Sequence, residues 1–246
     1  MSKINSPKLS GNALKIIGAV TMFIDHTGVL FFPEIILFRV IGRLSFPIFA
    51  YLIAEGCRHT KNLLKYFLNL SIFGGLFQFV YFFFTGSCHM NIFITYAISL
   101  PMIYALQHLK SSLKDKRYLH VASASFYLAA STVFAYIFHS TFSVDYGFAG
   151  SLVPFASSIC MSRDATLCES TRRREHLMSV FFCGISLVCL AYPFKDVQIF
   201  GLTALPMLAA YSGERGKSNL KNFFYVFYPA HLVILYGLKE LINHLN

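Results

Sequence analysis

Asp25 and His26 are adjacent ionisable residues in an apolar stretch, Leu14 to Phe32, that is long enough to cross a bilayer as a helix. A charged or titratable side chain is costly at that depth, so such residues usually face the protein interior and often do chemistry. Histidine is suited to proton transfer because its unperturbed pKa is about 6.5. The pair therefore predicts a buried polar site in which His26 is the candidate catalytic residue.

The next apolar stretch, Ile35 to Ala54, carries Arg39 and Arg43, which are four residues apart and share one helix face. If a tight turn joins the two stretches, His26 lies level with the two arginines, roughly 10 Å below the outer surface at the helical rise per residue. Two interpretations follow. Either Asp25 and Arg43 form a buried ion pair that holds the two helices together, or they support a catalytic His26.

The composition indicates the class of protein that holds these residues. Hydrophobic residues make up 56% of the 246-residue chain and charged residues only 13%, whereas a soluble domain typically carries about a quarter charged residues. The sequence therefore predicts an all-α, polytopic transmembrane helix bundle that forms a single domain over residues 1–246. About nine spans (eight to ten) are predicted, at residues 14–32, 35–54, 65–84, 91–108, 119–139, 147–161, 177–193, 197–211 and 222–239.

Lysine and arginine are distributed unevenly between the predicted loops. With a cytoplasmic N-terminus, 17 of the 21 basic residues, Lys3 and Lys8 among them, fall on the cytoplasmic side, and only Lys195 and Lys239 fall outside. This asymmetry follows the positive-inside rule. Contact of the basic loops with anionic lipid head groups accounts for the net charge of +10 without a nucleic-acid partner. The six cysteines show no metal-ligand spacing, and only Cys88 falls in an outer loop, so neither a metal site nor a disulfide framework is predicted.

Further polar residues lie inside later spans or at their ends. Asn91 opens the fourth span, Asp145 introduces the sixth, and His231 lies well inside the last. For His231, a hydrogen-bonded packing role and a functional role are both open. Arg58 and His59 end the second span at the predicted cytoplasmic face, where basic residues alone are ordinary.

Five segments occur in the order in which one family of membrane proteins carries them, and they extend over nearly the full chain. They are LKIIGAVTMFIDHTG (14–28), FRVIGRLSFPIFAYLIAEGCRHT (38–60), NIFIT (91–95), DYGFAG (145–150) and FFYVFYPAHLVILY (223–236). Together they resemble the TraX family, integral membrane proteins linked to N-terminal acetylation of conjugative pilin. The spacing Lys15-x10-His26 is also similar to the Arg-x10-His pattern in the first span of acyltransferase-3-type membrane acyltransferases, although lysine lacks the planar fork of arginine.

The resemblance implies transfer of an acetyl group from acetyl-CoA to the N-terminal amine of a pilin subunit, at the outer face of the bacterial inner membrane. His26 would act as general base, oriented by Asp25, or would carry the acetyl group covalently. Arg43 would pair with Asp25 or stabilise the tetrahedral oxyanion. The implied binding residues are Arg39, Asn91, Asp145 and His231 for the substrate, and Lys15, Arg58, His59 and Lys61 for the CoA phosphates.

Other functions fit the same residues. The acceptor could be a hydroxyl of a surface glycan or lipid, because nothing in the sequence specifies it. A non-enzymatic transporter or fibre-assembly protein is the alternative from a different class, since proton-coupled transport also needs intramembrane Asp, His and Arg. The sequence contains no inverted repeat typical of transporters and no long loop typical of an assembly factor. An acetyltransferase is therefore the preferred interpretation.

Overall fold

The computed structural model describes residues 9–164, 166–192, 197–217 and 221–245, with the side chains of the last range from residue 226 onward. Within these ranges the chain forms α-helices, one 3₁₀-helix and no β-strand, which confirms the predicted all-α class. The helices are α1 (Gly11–Phe31), α2 (Ile36–Gly42), α3 (Ser45–His59), α4 (Leu63–Thr85), α5 (Ile92–Lys114), α6 (Tyr118–Thr141), α7 (Gly147–Ser158), α8 (Glu169–Ala191), the 3₁₀-helix (Val197–Ala204), α9 (Leu205–Ala209) and α10 (Lys221–Leu245).

Six helical segments of the described chain are long and apolar enough to cross a membrane. They are α1, α2 together with α3 (Ile36–His59), α4, α5, α6 and α8. The chain is therefore a multi-pass α-helical membrane protein, as its composition predicts.

The predicted count of nine spans is not confirmed. α7 has 12 residues, and the segment Val197–Ala209 is also short. α10 is 25 residues long, but it is not among the six apolar segments. Four positions that entered the topology prediction lie outside the described residues, namely Lys3, Lys8, Lys195 and residue 193 at the end of the seventh predicted span.

The chain divides into two compact units. The first contains the described residues of 1–49 and 191–246, and the second contains those of 50–190. In the first unit α1 packs against α2 and α10, and α2 packs against the 3₁₀-helix. In the second unit α5 packs against α4, α6 and α7. Asp25 and His26 on α1 and Arg39 on α2 therefore lie in the same unit as α10.

The N-terminus of α1 is tied to the loop at residues 211–217. Ser10 caps the helix, since its hydroxyl accepts a hydrogen bond from Ala13 N at 3.2 Å. The carbonyls of Glu214 and Arg215 accept hydrogen bonds of 2.7 and 2.9 Å from the first two N–H groups of the helix. These bonds occupy the donors that an anion would use at a helix N-terminus.

A tight turn over residues 32–35 joins α1 to α2, as the sequence predicts. The two helices approach so closely at Gly42 that an added Cβ would overlap the Asp25 side chain. Pro47 has no N–H to donate to the Arg43 carbonyl, so helical hydrogen bonding is interrupted between α2 and α3. The C-terminal end of α2 therefore lies directly against the helical turn of α1 that contains Asp25.

Basic side chains cap helix ends in the second unit. Lys110 donates to backbone carbonyls just after α7, including Met161 O at 3.2 Å. Arg163 donates to the carbonyl of Cys57, in the last turn of α3, at 2.7 Å. Such bonds satisfy carbonyls that have no partner within their own helix. These two cations therefore stabilise the ends of α7 and α3.

Candidate active site

An ion cluster joins α1 to α2 in the first unit. The Asp25 carboxylate accepts hydrogen bonds from Arg39 Nη1 at 2.7 Å and from Arg43 Nη2 at 3.3 Å. The Arg43 side chain is buried, with 6% exposed, whereas 35% of the Arg39 side chain is exposed. Arg43 Nε also donates to Arg39 O at 3.3 Å, which fixes its guanidinium against α2. The ion pair between Asp25 and Arg43 is therefore present, and Arg39 joins it.

His26 of α1 is paired with His231 of α10, 205 positions later. His26 Nδ1 lies 2.8 Å from His231 Nε2. The two ring planes differ by 4°, and the ring centroids are 5.0 Å apart. Because this separation nearly equals the hydrogen-bond length plus the two ring radii, the rings lie end to end in about one plane. The geometry is that of a direct ring-to-ring hydrogen bond.

Aromatic rings and a backbone carbonyl hold His231 in place. Its Nδ1 lies 3.0 Å from Phe227 O, and the residue is 2% exposed. The Phe227 ring lies nearly parallel to the imidazole, at a centroid distance of 5.2 Å. The rings of Tyr228 and Phe23 meet it at steep angles, 5.5 and 6.4 Å away. His26, in contrast, is only half-buried.

The sequence predicts that Asp25 orients His26, whereas in the structure the two side chains contact different partners. Neighbouring residues on a helix point about 100° apart, so Asp25 turns toward the arginines of α2 while His26 turns toward α10. The side chain that contacts His26 Nδ1 is that of His231, which the sequence predicts as a substrate-binding residue.

Asn91, predicted to orient the substrate, serves the fold of the second unit. Its Oδ1 accepts from Phe93 N at 3.0 Å as the cap of α5. Its Nδ2 donates to Gly74 O at 2.7 Å and to Gln78 Oε1 at 3.2 Å. The residue is 3% exposed. Its polar atoms are taken up by these contacts, so we do not assign it to a substrate site.

Asp145, also predicted to bind substrate, pairs with a histidine that no sequence motif marks. His89 Nε2 lies 2.9 Å from Asp145 Oδ1, and His89 Nδ1 lies 2.7 Å from Ser143 Oγ. The hydrogen bond to the Asp145 carboxylate raises the pKa of His89 above its ordinary value, by more than partial burial lowers it. Asp145 and His89 are 56 positions apart, so only the folded structure reveals that they join two loops of the second unit.

The cations predicted to hold the CoA phosphates differ in what already contacts them. Lys15 lies on α1, in the first unit. Arg58 and His59, at the end of α3 in the second unit, each lie 3.1 Å from the buried carboxylate of Glu55. Lys61 follows on the surface of that unit. Because Glu55 already contacts Arg58 and His59, Lys61 is a stronger phosphate candidate than these two residues.

The remaining metal-ligating residue types are dispersed. In the part of the chain that the structure describes, no group of three or more His, Cys, Asp or Glu side chains is placed to hold a metal ion. All six cysteines are free thiols, of which Cys88, Cys168 and Cys189 are exposed.

Comparison with known proteins gives the same family as the sequence motifs. The family model described as TraX protein matches residues 10–239. The chain is 24% identical over 251 residues to the probable fimbrial assembly protein FimC, serogroup H1, of Dichelobacter nodosus, with 92% of this chain and 94% of that protein covered. It is 26% identical over 170 residues to an uncharacterized protein of Rickettsia prowazekii (strain Madrid E), with 52% of this chain and 64% of that protein covered. No solved structure matches the chain significantly. Since the family model covers nearly the full length, this chain belongs to the TraX family.

Proposed function

We propose that this chain is a membrane-embedded acetyltransferase that transfers an acetyl group from acetyl-CoA to the N-terminal amine of a pilin subunit, at the outer face of a bacterial inner membrane. The observation that carries the proposal is His26, a half-buried histidine whose Nδ1 is held at 2.8 Å by His231. Ionisable groups within membrane-spanning helices are costly and usually mark a functional site. Membership of the TraX family is the second support.

His26 supplies the base that acylation of an amine requires. An N-terminal ammonium must lose a proton before it can attack a thioester, and His26 takes that proton. The amine nitrogen then bonds to the acetyl carbon, and the C–S bond to CoA breaks as the tetrahedral intermediate collapses. The thiolate takes a proton from His26, so the products are the amide, the CoA thiol and one released proton. In the covalent variant, the acetyl group rests on a ring nitrogen of His26 before the amine attacks it.

Arg39 is better placed than Arg43 to stabilise the developing oxyanion. A guanidinium has five N–H donors, and in the described chain the Arg39 side chain uses one of them, on the Asp25 carboxylate at 2.7 Å. With 35% of its side chain exposed, donors remain for a negative oxygen. Arg43 is buried and holds both the Asp25 carboxylate and the Arg39 carbonyl. Arg43 therefore acts as a positioning residue.

Charge indicates which residue holds the acetyl donor, and the name of one relative indicates the acetyl acceptor. Lys15, in the same unit as His26, is the first candidate to hold the CoA phosphates by charge. The Dichelobacter nodosus relative is named as a probable fimbrial assembly protein, which supports a fimbrial subunit as the acceptor. A hydroxyl of a surface glycan or lipid is the alternative acceptor for the same chemistry.

Transfer of label by the purified, full-length protein in lipid vesicles tests the proposal. The assay supplies acetyl-CoA labelled in the acetyl group and a peptide with the host pilin's mature N-terminus, and a second peptide with a blocked N-terminus serves as the control acceptor. We expect label only on the free amine, loss of transfer in His26→Ala, and normal transfer in His244→Ala, which changes an exposed histidine of α10. Normal transfer by a folded His26→Ala protein would refute the catalytic assignment.

A non-enzymatic role in fimbrial assembly is the second candidate, because the name of the Dichelobacter nodosus relative favours it. In that case, deletion of the chain would reduce the number of fimbriae while the mass of the pilin stayed unchanged. His26→Ala would then assemble fimbriae as well as the wild type does. Counting fimbriae beside pilin mass in the same cells separates the two functions.

A further inference from the structure

We infer that His231 sets the tautomer of His26, so that Nε2 of His26 is the nitrogen that takes the proton or the acetyl group. His231 is then a positioning residue, in place of the substrate-binding role that the sequence predicts. The inference rests on the proposed function for the reaction itself, whereas the tautomer can be measured in the resting protein.

A backbone carbonyl sets the direction of the hydrogen-bond chain, because it can only accept. His231 Nδ1 lies 3.0 Å from Phe227 O, so this nitrogen carries the proton. In a neutral imidazole the other nitrogen is then an acceptor. That acceptor, His231 Nε2, lies 2.8 Å from His26 Nδ1. His26 Nδ1 therefore donates, and the unprotonated nitrogen of His26 is Nε2.

The packing around His231 opposes reversal of this chain. The two imidazoles are parallel within 4°, which aligns the N–H of one ring with the in-plane lone pair of the other. The rings of Phe227, Tyr228 and Phe23 surround His231, which is 2% exposed. A flip of the His231 ring would leave its buried N–H without the Phe227 carbonyl, and an unpaired buried donor costs about 1–3 kcal/mol.

The lone pair on His26 Nε2 is available to a reactant. Among the described residues this nitrogen has no hydrogen-bond partner, and the His26 ring is only half-buried. Asp25, the carboxylate that could compete for the imidazole N–H, accepts hydrogen bonds from Arg39 and Arg43 instead. Among the described side chains of the adjacent helices, none therefore draws the proton of His26 away from Nδ1.

Nitrogen NMR measures the tautomer directly, on the full chain labelled with [15N]histidine and reconstituted in lipid bilayers. At about pH 8, above the ordinary histidine pKa of about 6.5, protonated and unprotonated ring nitrogens give separate signals. The signals of His26 and His231, among nine histidines, are identified by their loss in His26→Gln and His231→Gln. We expect both rings to carry the proton on Nδ1. Protonation of His26 on Nε2 would overturn the inference.

Two substitutions of His231 separate hydrogen bonding from packing. The side-chain oxygen of His231→Gln can replace Nε2 as the acceptor, whereas His231→Leu fills space without an acceptor. We expect His26 to keep its Nδ1 proton in the glutamine variant and to lose that preference in the leucine variant. Acetyl transfer by His231→Leu would show kcat lower by about 10- to 100-fold, part of the contribution of a general base, with KM nearly unchanged.

Recovery of kcat in His231→Gln would support the positioning role, with His244→Leu on the same helix as the control. A change in KM alone, or full kcat in His231→Leu, would make His231 a substrate-binding or packing residue and overturn the inference.

Failure of the tautomer assignment and failure of the proposed function give different results. A proton on His26 Nδ1 without acetyl transfer to any acceptor would refute the function and leave the tautomer assignment standing. Acetyl transfer by a protein whose His26 carries its proton on Nε2 would refute the assignment and leave the function standing.

Discussion

Neutralising Asp25 tests whether the ion cluster holds α1 to α2. The cluster carries one negative and two positive charges, so Asp25→Asn raises its net charge from +1 to +2. At an effective dielectric constant of about 20, unit charges about 3 Å apart attract by about 5 kcal/mol. Most of this attraction is offset by lost hydration of Arg43 and Asp25, whose side chains are 6% and 14% exposed. Arg39, at 35% exposure, contributes at most about 1 kcal/mol.

Removal of one partner from a buried ion pair costs about 3–5 kcal/mol of unfolding free energy. The partial exposure of Arg39 puts the expected cost for Asp25→Asn at the lower end, about 3 kcal/mol. A chain of this size loses about 2–4 °C of unfolding midpoint per kcal/mol. Thermal unfolding in detergent should therefore show a midpoint lowered by about 6–12 °C. A decrease of less than about 2 °C would refute the reasoning.

A variant without any charge in the cluster separates stability from catalysis. The triple substitution Asp25→Leu, Arg39→Met, Arg43→Met replaces the ion pairs with apolar packing, which is often neutral or stabilising. We expect this protein to unfold near the wild-type temperature and yet to transfer no acetyl group, because the Arg39 donors are gone. Full activity in this variant would mean that the cluster only holds the helices together.

Three further measurements check other parts of the molecule. Gly42→Ala should lower the unfolding free energy by about 1–3 kcal/mol, because the added methyl overlaps Asp25. Acetyl transfer should decrease with it, and unchanged transfer would contradict the close approach of α1 and α2. The pKa of His89 is raised in the folded state, so His89 should stabilise the protein relative to His89→Gln below about pH 6.5. This advantage should be lost as the pH rises through the raised pKa. Thermal unfolding with the opposite pH trend would contradict the pairing of His89 with the Asp145 carboxylate. A membrane-impermeant maleimide should label Cys88 in intact spheroplasts, and should label Cys168 only after the membrane is opened. Cys168 is an exposed thiol whose pKa is lowered to about 7 by neighbouring hydroxyls. The reverse labelling pattern would invert the predicted topology.

The helical class and the first hairpin follow from local sequence patterns, whereas the number of spans does not. Long apolar runs predict α1, α4, α5 and α6. The missing N–H of Pro47 accounts for the interruption before α3. An apolar run does not by itself fix the length of a helix. The predicted span 147–161 contains only the 12-residue α7, and the predicted span 197–211 begins as a 3₁₀-helix. α10 is the converse case, because it has 25 residues but is not among the six apolar segments found in the described part of the chain.

The residues of the candidate site are predictable from the sequence, but their partners are only partly so. A tight turn and the helical rise put His26, and with it the adjacent Asp25, level with Arg39 and Arg43, and the structure joins Asp25 to both arginines. The partner of His26 lies 205 positions away, and a single sequence carries no signal for so distant a pair. The 100° step between neighbouring helical residues is the available clue, because it separates His26 from the partners of Asp25.

The intact masses of secreted pilins and envelope glycans, from cells with and without this chain, test the central claim most directly. We predict a mass gain of one acetyl group on the pilin N-terminus with the wild-type chain and with His244→Ala, and no gain with His26→Ala at equal membrane levels. The same gain on a glycan would keep the chemistry and replace the acceptor. The absence of any acetyl difference on pilin or glycan, with the wild-type protein properly inserted, would contradict the assignment of this chain as an acetyltransferase.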